Sequence, residues 1–257
     1  MELKVTTIQS HLHWENPKAN LNMFEAKIAN IQNTDLIVLP EMFTTGFTMN
    51  AKLFAETMQG ETIDWMKKQA QNKNAAICSS AIIKNDEGNY VNRFLFVTQD
   101  EIHYYDKAHL FRMGDENNHY VKGNIQKIIT YKGFNIAPMV CYDLRFPVWM
   151  RRTETFNYDV LIFVANWPQR RAEHWKALLT ARAIENQAYV VGVNRIGNDG
   201  NSILHSGDTS VISPLGEILY RKTEEEDIKT HTLSKSVLTD YRNAFPVEKD
   251  ADSFEIM

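Results

Sequence analysis

Two cysteines in 257 residues, Cys78 and Cys141, are too few for a disulfide framework, and a chain of this length has no need of one. The same scarcity excludes a four-sulfur zinc site. No uninterrupted apolar run approaches the roughly 20 residues that span a bilayer. Positive charge is also in short supply: 28 Lys and Arg stand against 32 Asp and Glu, a formal net charge of -4. There is thus no basic field to hold a nucleic acid or an anionic membrane. Pro/Gly/Ser linkers, low-complexity tracts and internal repeats are missing as well. The opening "MELKVTTIQSHLHWENP" lacks the basic stretch and apolar segment of a secretion signal. These absences point to a cytoplasmic protein acting on a small soluble molecule.

What is present is a sizeable core, with 44% hydrophobic residues arranged in alternating patterns. "LKVTTIQ" reads as a strand; residues 18 to 32 place Leu21, Phe24, Ile28 and Ile31 on one helical face; "DLIVLP" is a buried strand. Residues 60 to 72 predict a second helix with Ile63 and Met66 inward, followed by the strand "AAICSSAII". Paired strands and a hairpin around Lys132 and Gly133 come next. The second half repeats the rhythm: a helix predicted over 147 to 156 behind Pro147, the strand "DVLIFVAN", the helix "EHWKALLTARAIENQ", the strand "AYVVGVNRIG", then a hairpin, a strand and a short helix near 235 to 243. Strands, helices and hairpins mixed in this way predict an α/β fold, with mixed sheets covered by helices on their outer faces. We expect one domain over residues 1 to 245 and a tail, 246 to 257, whose Phe254 and Ile256 suit a subunit interface or a frayed end.

In open α/β sheets ligands gather beyond the carboxyl ends of strands. Three such ends carry reactive groups: "DLIVLPEMF" delivers Glu41, "IHYYDKAHLF" delivers Lys107 and "IAPMVCYDL" delivers Cys141. A carboxylate, an ammonium and a thiol are the parts needed for covalent attack on a carbonyl or nitrile carbon. A thiol with an ordinary pKa near 8.5 is only slightly ionised at pH 7, so a base must take its proton, a role open to Glu41. Lys107 and the backbone N–H of Tyr142 would then hold the oxyanion. Spacing alone leaves the bland reading open, in which Cys141 is core, Glu41 is salt-bridged and Lys107 is solvated.

The segments "LPEMFTTGF", "YDKAHLF" and "CYDLRFP" resemble, in order and context, the three signatures of the nitrilase superfamily of carbon-nitrogen hydrolases, over residue 4 to about residue 245. The resemblance implies a four-layer αββα sandwich, a Glu41/Lys107/Cys141 triad, a thioester intermediate, a homodimer, and neither metal nor cofactor. It also implies that Glu116, in "GDENNHYVKG", supports Lys107 and orients substrate. "CYDLRFP", "ANWPQRRAEHW" and the short C-terminus resemble most closely the omega-amidase branch, which removes the distal amide of 2-oxoglutaramate or 2-oxosuccinamate. A substrate of that kind carries a carboxylate, so an arginine should fork onto it, with Arg145, Arg112, Arg170 and Arg171 as candidates. Phe43, Phe47, Tyr142, Phe146 and Trp167 are candidates for the pocket wall, Phe43 and Trp167 foremost.

Other readings are weaker on the residues themselves. No G-x-S-x-G elbow supports a serine hydrolase, and His109, His174 and His205 lack the setting of a papain-like enzyme. "HLH" at 11 to 13 has no third metal ligand. Inside the family the rivals are an aliphatic amidase, the amidase of deaminated glutathione, a carbamoylase or a nitrilase; outside it, an inactive binding protein on the same fold.

Overall fold

Period-two alternation of side chains sets the layers of the computed structural model, which describes residues 1–256. The first sheet contains β1 (Glu2–Gln9), β2 (Leu36–Val38), β3 (Ala76–Lys84), β4 (Tyr90–Val97) and β5 (Ile102–Asp106). The last strand of the chain, β13 (Asp227–Ser234), joins its edge to give the order β13-β1-β2-β3-β4-β5. The second sheet contains β6 (Ile129–Tyr131), β7 (Phe134–Val140), β8 (Val160–Ala165), β9 (Tyr189–Asn194), β10 (Ile196–Asn198) and β11 (Leu204–Ile212), with β12 (Ile218–Thr223) paired to β11. Both sheets are mixed: β1–β2–β3 and β7–β8–β9 run parallel, and the flanking strands are antiparallel.

Within the first sheet, Leu36, Val38, Ala76, Cys78, Phe94 and Phe96 enter the core shared with the second sheet. Their neighbours Ile37, Leu39, Ile77, Leu95 and Val97 point the other way, onto Phe24 and Ile28 of helix α1 (Pro17–Ala29) and Ile63 and Met66 of α3 (Glu61–Lys73). Helix α2 (Ala51–Phe54) is a single turn between them. The second sheet is covered by α5 (Ala172–Asn186) and α6 (Lys235–Ala244). Gly192 of β9 lets α5 approach closely: a Cβ there would lie 2.7 Å from Leu179 and 2.9 Å from Trp175. The result is the four-layer αββα sandwich expected, with Cys78 buried in its central layer.

Two boundaries differ from the sequence expectation. The helix predicted over 147 to 156 is the single turn α4 (Pro147–Met150). Arg152 explains the stop: its backbone N–H and its Nε donate to Asn186 at the end of α5, each at 2.9 Å, which draws the chain out of the helix. "AYVVGVNRIG" divides into β9 and β10 at Arg195, whose guanidinium folds back on the backbone of Ile196 and Asn198. Beyond α6, Glu248 pairs with Arg152 at 2.7 Å, and residues 251–256 lie outside regular structure.

Candidate active site

The carboxyl ends of β2, β5, β7 and β8 converge, and each delivers one polar residue: Glu41, Lys107, Cys141 and Asn166. Cys141 opens a 3-10 turn (Cys141–Arg145) with φ of 43°, a left-handed conformation that costs a non-glycine residue about 1–3 kcal/mol. Asp143, fully buried, holds that turn in place. One of its oxygens accepts from Val140 N (3.0 Å) and the Tyr105 hydroxyl (2.9 Å), the other from His109 N (3.0 Å) and His109 Nδ1 (2.8 Å). The strand therefore ends in an elbow that leaves the sulfur at the floor of a cavity of about 350 Å³.

Around the sulfur lies a buried charge cluster. Lys107 Nζ donates to Glu41 Oε1 and to Glu116 Oε1, each at 3.0 Å, and all three side chains are essentially inaccessible to solvent. Burial by itself pulls the Lys107 pKa down, but Glu116, Glu41 and the adjacent thiol outweigh it, so the ammonium is held above its ordinary value. Burial raises the Glu116 carboxyl, Lys107 opposes the rise and Glu41 adds to it. Burial also pushes the Cys141 thiol well up, Glu41 pushes it further, and Lys107 and the Asn166 amide pull against both. Two carboxylates and one ammonium leave the cluster formally anionic, which favours keeping the thiol proton.

Sequence reasoning missed two residues of this cluster. Asn92, in the middle of β4, donates to Glu41 Oε1 (2.8 Å) and Glu116 Oε1 (3.2 Å), so one amide spaces both acids. Asn166 donates from its backbone to Glu41 Oε2 (2.8 Å) and from its side chain to the Glu41 carbonyl (2.6 Å). The only signal for Asn92 is a polar residue interrupting the apolar strand "YVNRFLFV"; Asn166 stood in plain view in "NWP".

The other expected residues divide. Tyr142, Arg145 and Trp167 line the cavity with Cys141. Phe43 does not: Met42, at φ of 45°, turns the chain so that the Phe43 ring packs on Phe24 (5.7 Å) and Trp65 (5.6 Å) behind the first sheet. Phe47 takes the wall position instead, its ring 5.1 Å from Lys107 Nζ. Phe146 stacks on His109 at 3.8 Å, outside the cavity lining. Of the four candidate arginines, Arg145, Arg170 and Arg171 reach the cavity, while Arg112 is exposed on the loop beyond it. Arg182 and Glu185 form an ion pair at 3.0 Å. Among the described residues no group of three His, Cys, Asp or Glu is placed to hold a metal ion, and no helix is long and apolar enough to cross a membrane.

Comparison with known proteins gives the same grouping. Residues 4–243 match the carbon-nitrogen hydrolase family profile. The omega-amidase YafV of Escherichia coli (strain K12) is 47% identical over 256 residues, covering 99% of this chain and 98% of that protein. The 2-oxoglutaramate amidase of Bacillus subtilis (strain 168) is 30% identical over 254 residues, covering 97% and 98%. Among solved structures, XC1258 from Xanthomonas campestris, a CN-hydrolase superfamily protein with an arsenic adduct in its active site, superposes with a TM-score of 0.97 at 40% identity, covering 100% of both chains.

Proposed function

Because the chain belongs to the carbon-nitrogen hydrolase family, we propose that it is an omega-amidase, hydrolysing the distal amide of a short 2-oxo dicarboxylic acid monoamide such as 2-oxoglutaramate. The observation that carries the reading is a thiol, a carboxylate and an ammonium meeting at the floor of a cavity whose wall presents three arginines. The E. coli and B. subtilis relatives support the same substrate class.

In this reading Glu41 takes the Cys141 proton as the sulfur attacks the amide carbon. Lys107 Nζ and the Tyr142 N–H stabilise the oxyanion; that amide lies in the first turn of a 3-10 helix, where no intrahelical acceptor is available to it. Glu41 returns its proton to the departing nitrogen, ammonia leaves, and a thioester remains. Water then gives a proton to Glu41 as it adds to the thioester, and collapse restores the thiol and frees the carboxylate. Glu116 holds Lys107, Trp167 forms the wall against the acyl chain, and Arg145 faces the substrate carboxylate. The reading includes the homodimer that the family resemblance implies and the cytoplasmic location that the composition suggests.

Ammonia release from 2-oxoglutaramate, compared with glutamine, a simple nitrile and an N-carbamoyl amino acid, tests it in wild type and Cys141→Ala. We expect 2-oxoglutaramate to be preferred and Cys141→Ala to be inactive. Full activity in Cys141→Ala would sink the mechanism, and turnover of the nitrile or carbamoyl compound alone would discard the specificity.

A further inference from the structure

Three guanidinium groups line the cavity, and among the described residues none has an acidic partner. Arg145, Arg170 and Arg171 form no salt bridge among the described residues. The acids that line the same cavity are engaged elsewhere: Glu41 with Lys107, Glu15 with Asn50 (2.6 Å) and Thr48, and Asp199 with the backbone of Asn201 (2.8 Å) and Ile203 (2.9 Å). A cluster of like charges without a counter-ion is unfavourable on its own and favourable with a bound anion.

Two of the three are held for planar recognition. Arg145 lies over the Trp167 ring, 4.8 Å from its centroid, and its Nη2 donates to His174 Nδ1 at 3.0 Å. Arg171 lies over the Phe111 ring at 5.3 Å, and its carbonyl accepts from Trp167 Nε1 at 2.7 Å. Phe111 in turn meets Tyr142, the neighbour of Cys141, edge to face at 5.0 Å. Trp167 thus couples both arginines to one another, and Phe111 couples Arg171 to the elbow that carries the sulfur. Burial lowers the Arg171 pKa and its cationic neighbours Arg170 and Arg145 lower it further, consistent with charge crowded in a half-dry wall.

We propose that Arg145 and Arg171 form a fork for the carboxylate at the far end of the substrate, and that their combined charge selects an uncharged 2-oxo carbon beside that carboxylate over a 2-ammonium carbon. This rests on the amidase reading above. A guanidinium presents paired donors to a carboxylate. The ammonium of glutamine would sit on the carbon next to that carboxylate, inside the field of both cations, whereas a carbonyl oxygen there accepts from them.

The test compares wild type with Arg145→Met, Arg171→Met and the charge-keeping Arg145→Lys and Arg171→Lys. Turnover of 2-oxoglutaramate, glutamine and the neutral amide butyramide is measured, together with calorimetric binding of 2-oxoglutarate. The methionine variants are expected to raise KM for 2-oxoglutaramate about ten- to hundred-fold with a smaller change in kcat, to shrink the preference over glutamine and over butyramide, and to weaken 2-oxoglutarate binding in parallel. The lysine variants, which keep charge but lose the planar fork, should fall between, and they decide the matter if a methionine variant does not fold. Preferences and 2-oxoglutarate binding unchanged in all four would overturn the fork while leaving the amidase reading intact. Binding of 2-oxoglutarate that depends on both arginines, in a wild type that ignores 2-oxoglutaramate, would overturn the substrate and keep the fork.

Discussion

At the scale of single residues, the proposed mechanism turns on the state of the Cys141 proton. Burial and the neighbouring Glu41 hold that proton on the sulfur, with Lys107 opposing them. In the proposed mechanism the sulfur therefore attacks as its proton leaves, which differs from the standing thiolate of an enzyme that pairs cysteine with a cationic imidazole. Glu41→Gln should thus have two opposite effects. Amide turnover should fall by roughly 10²–10⁴-fold with the base gone, while loss of the negative charge lowers the thiol pKa and speeds iodoacetamide alkylation at pH 8. Lys107→Met should slow the same alkylation. Alkylation rates against pH read both signs, and identical profiles in the three proteins would detach the sulfur from this charge cluster. Glu41, Lys107 and Cys141 were legible in the sequence because each follows an apolar run and sits in a matching motif. Asn92 was not, since its role depends on acids that are distant in sequence and meet only when β2, β4 and the 108–121 loop are in place. Phe43 was overread because nothing in "PEMF" announces that Met42 takes a positive φ.

At the scale of elements, the end of β5 carries an ammonium whose counter-ions come from two other segments, one after β2 and one in the loop after Lys107 itself. Breaking such a buried pair typically costs about 3–5 kcal/mol, because the remaining charges have no water to turn to. Lys107→Met should show that loss near neutral pH. Burial already raises the Glu116 carboxyl and Lys107 opposes the rise, so with the ammonium gone the folded protein holds Glu116 protonated more readily than the unfolded chain does. The variant then loses stability as pH rises above the unfolded carboxyl value of about 4.3. Urea unfolding at pH 5 and pH 8 should find the deficit larger at pH 8; a deficit independent of pH would point to lost packing instead. Strands and the longer helices were readable from their periodicity because burial alone imposes it. The one-turn α4 was not, since the side chain that ends it bonds to Asn186, 34 residues away.

At the scale of the whole molecule, a chain of formal charge -4 gathers at one cavity three arginines that have no acidic partner among the described residues, so the global balance that argued against nucleic acid says nothing about local preference for an anionic substrate. The two-sheet architecture followed from strand and helix order; the order of strands within each sheet did not, because contacts far apart in sequence decide it. One such contact is the pairing of β1 with β13, antiparallel over their full length from Glu2 opposite Ser234 to Gln9 opposite Asp227. During synthesis β1 must wait for β13, which is made long after it. Until residue 227 and those after it are free of the ribosome, β1 has an open edge able to pair with another nascent chain. A chain ending at Glu226 should therefore be recovered mainly in aggregates, and a separately supplied peptide spanning Asp227–Ser234 should return part of it to solution. Sedimentation of the two preparations would decide; a soluble, monodisperse truncated chain would mean the edge protects itself. The fold thus lets β1 close its edge only once β13 has followed it out of the ribosome.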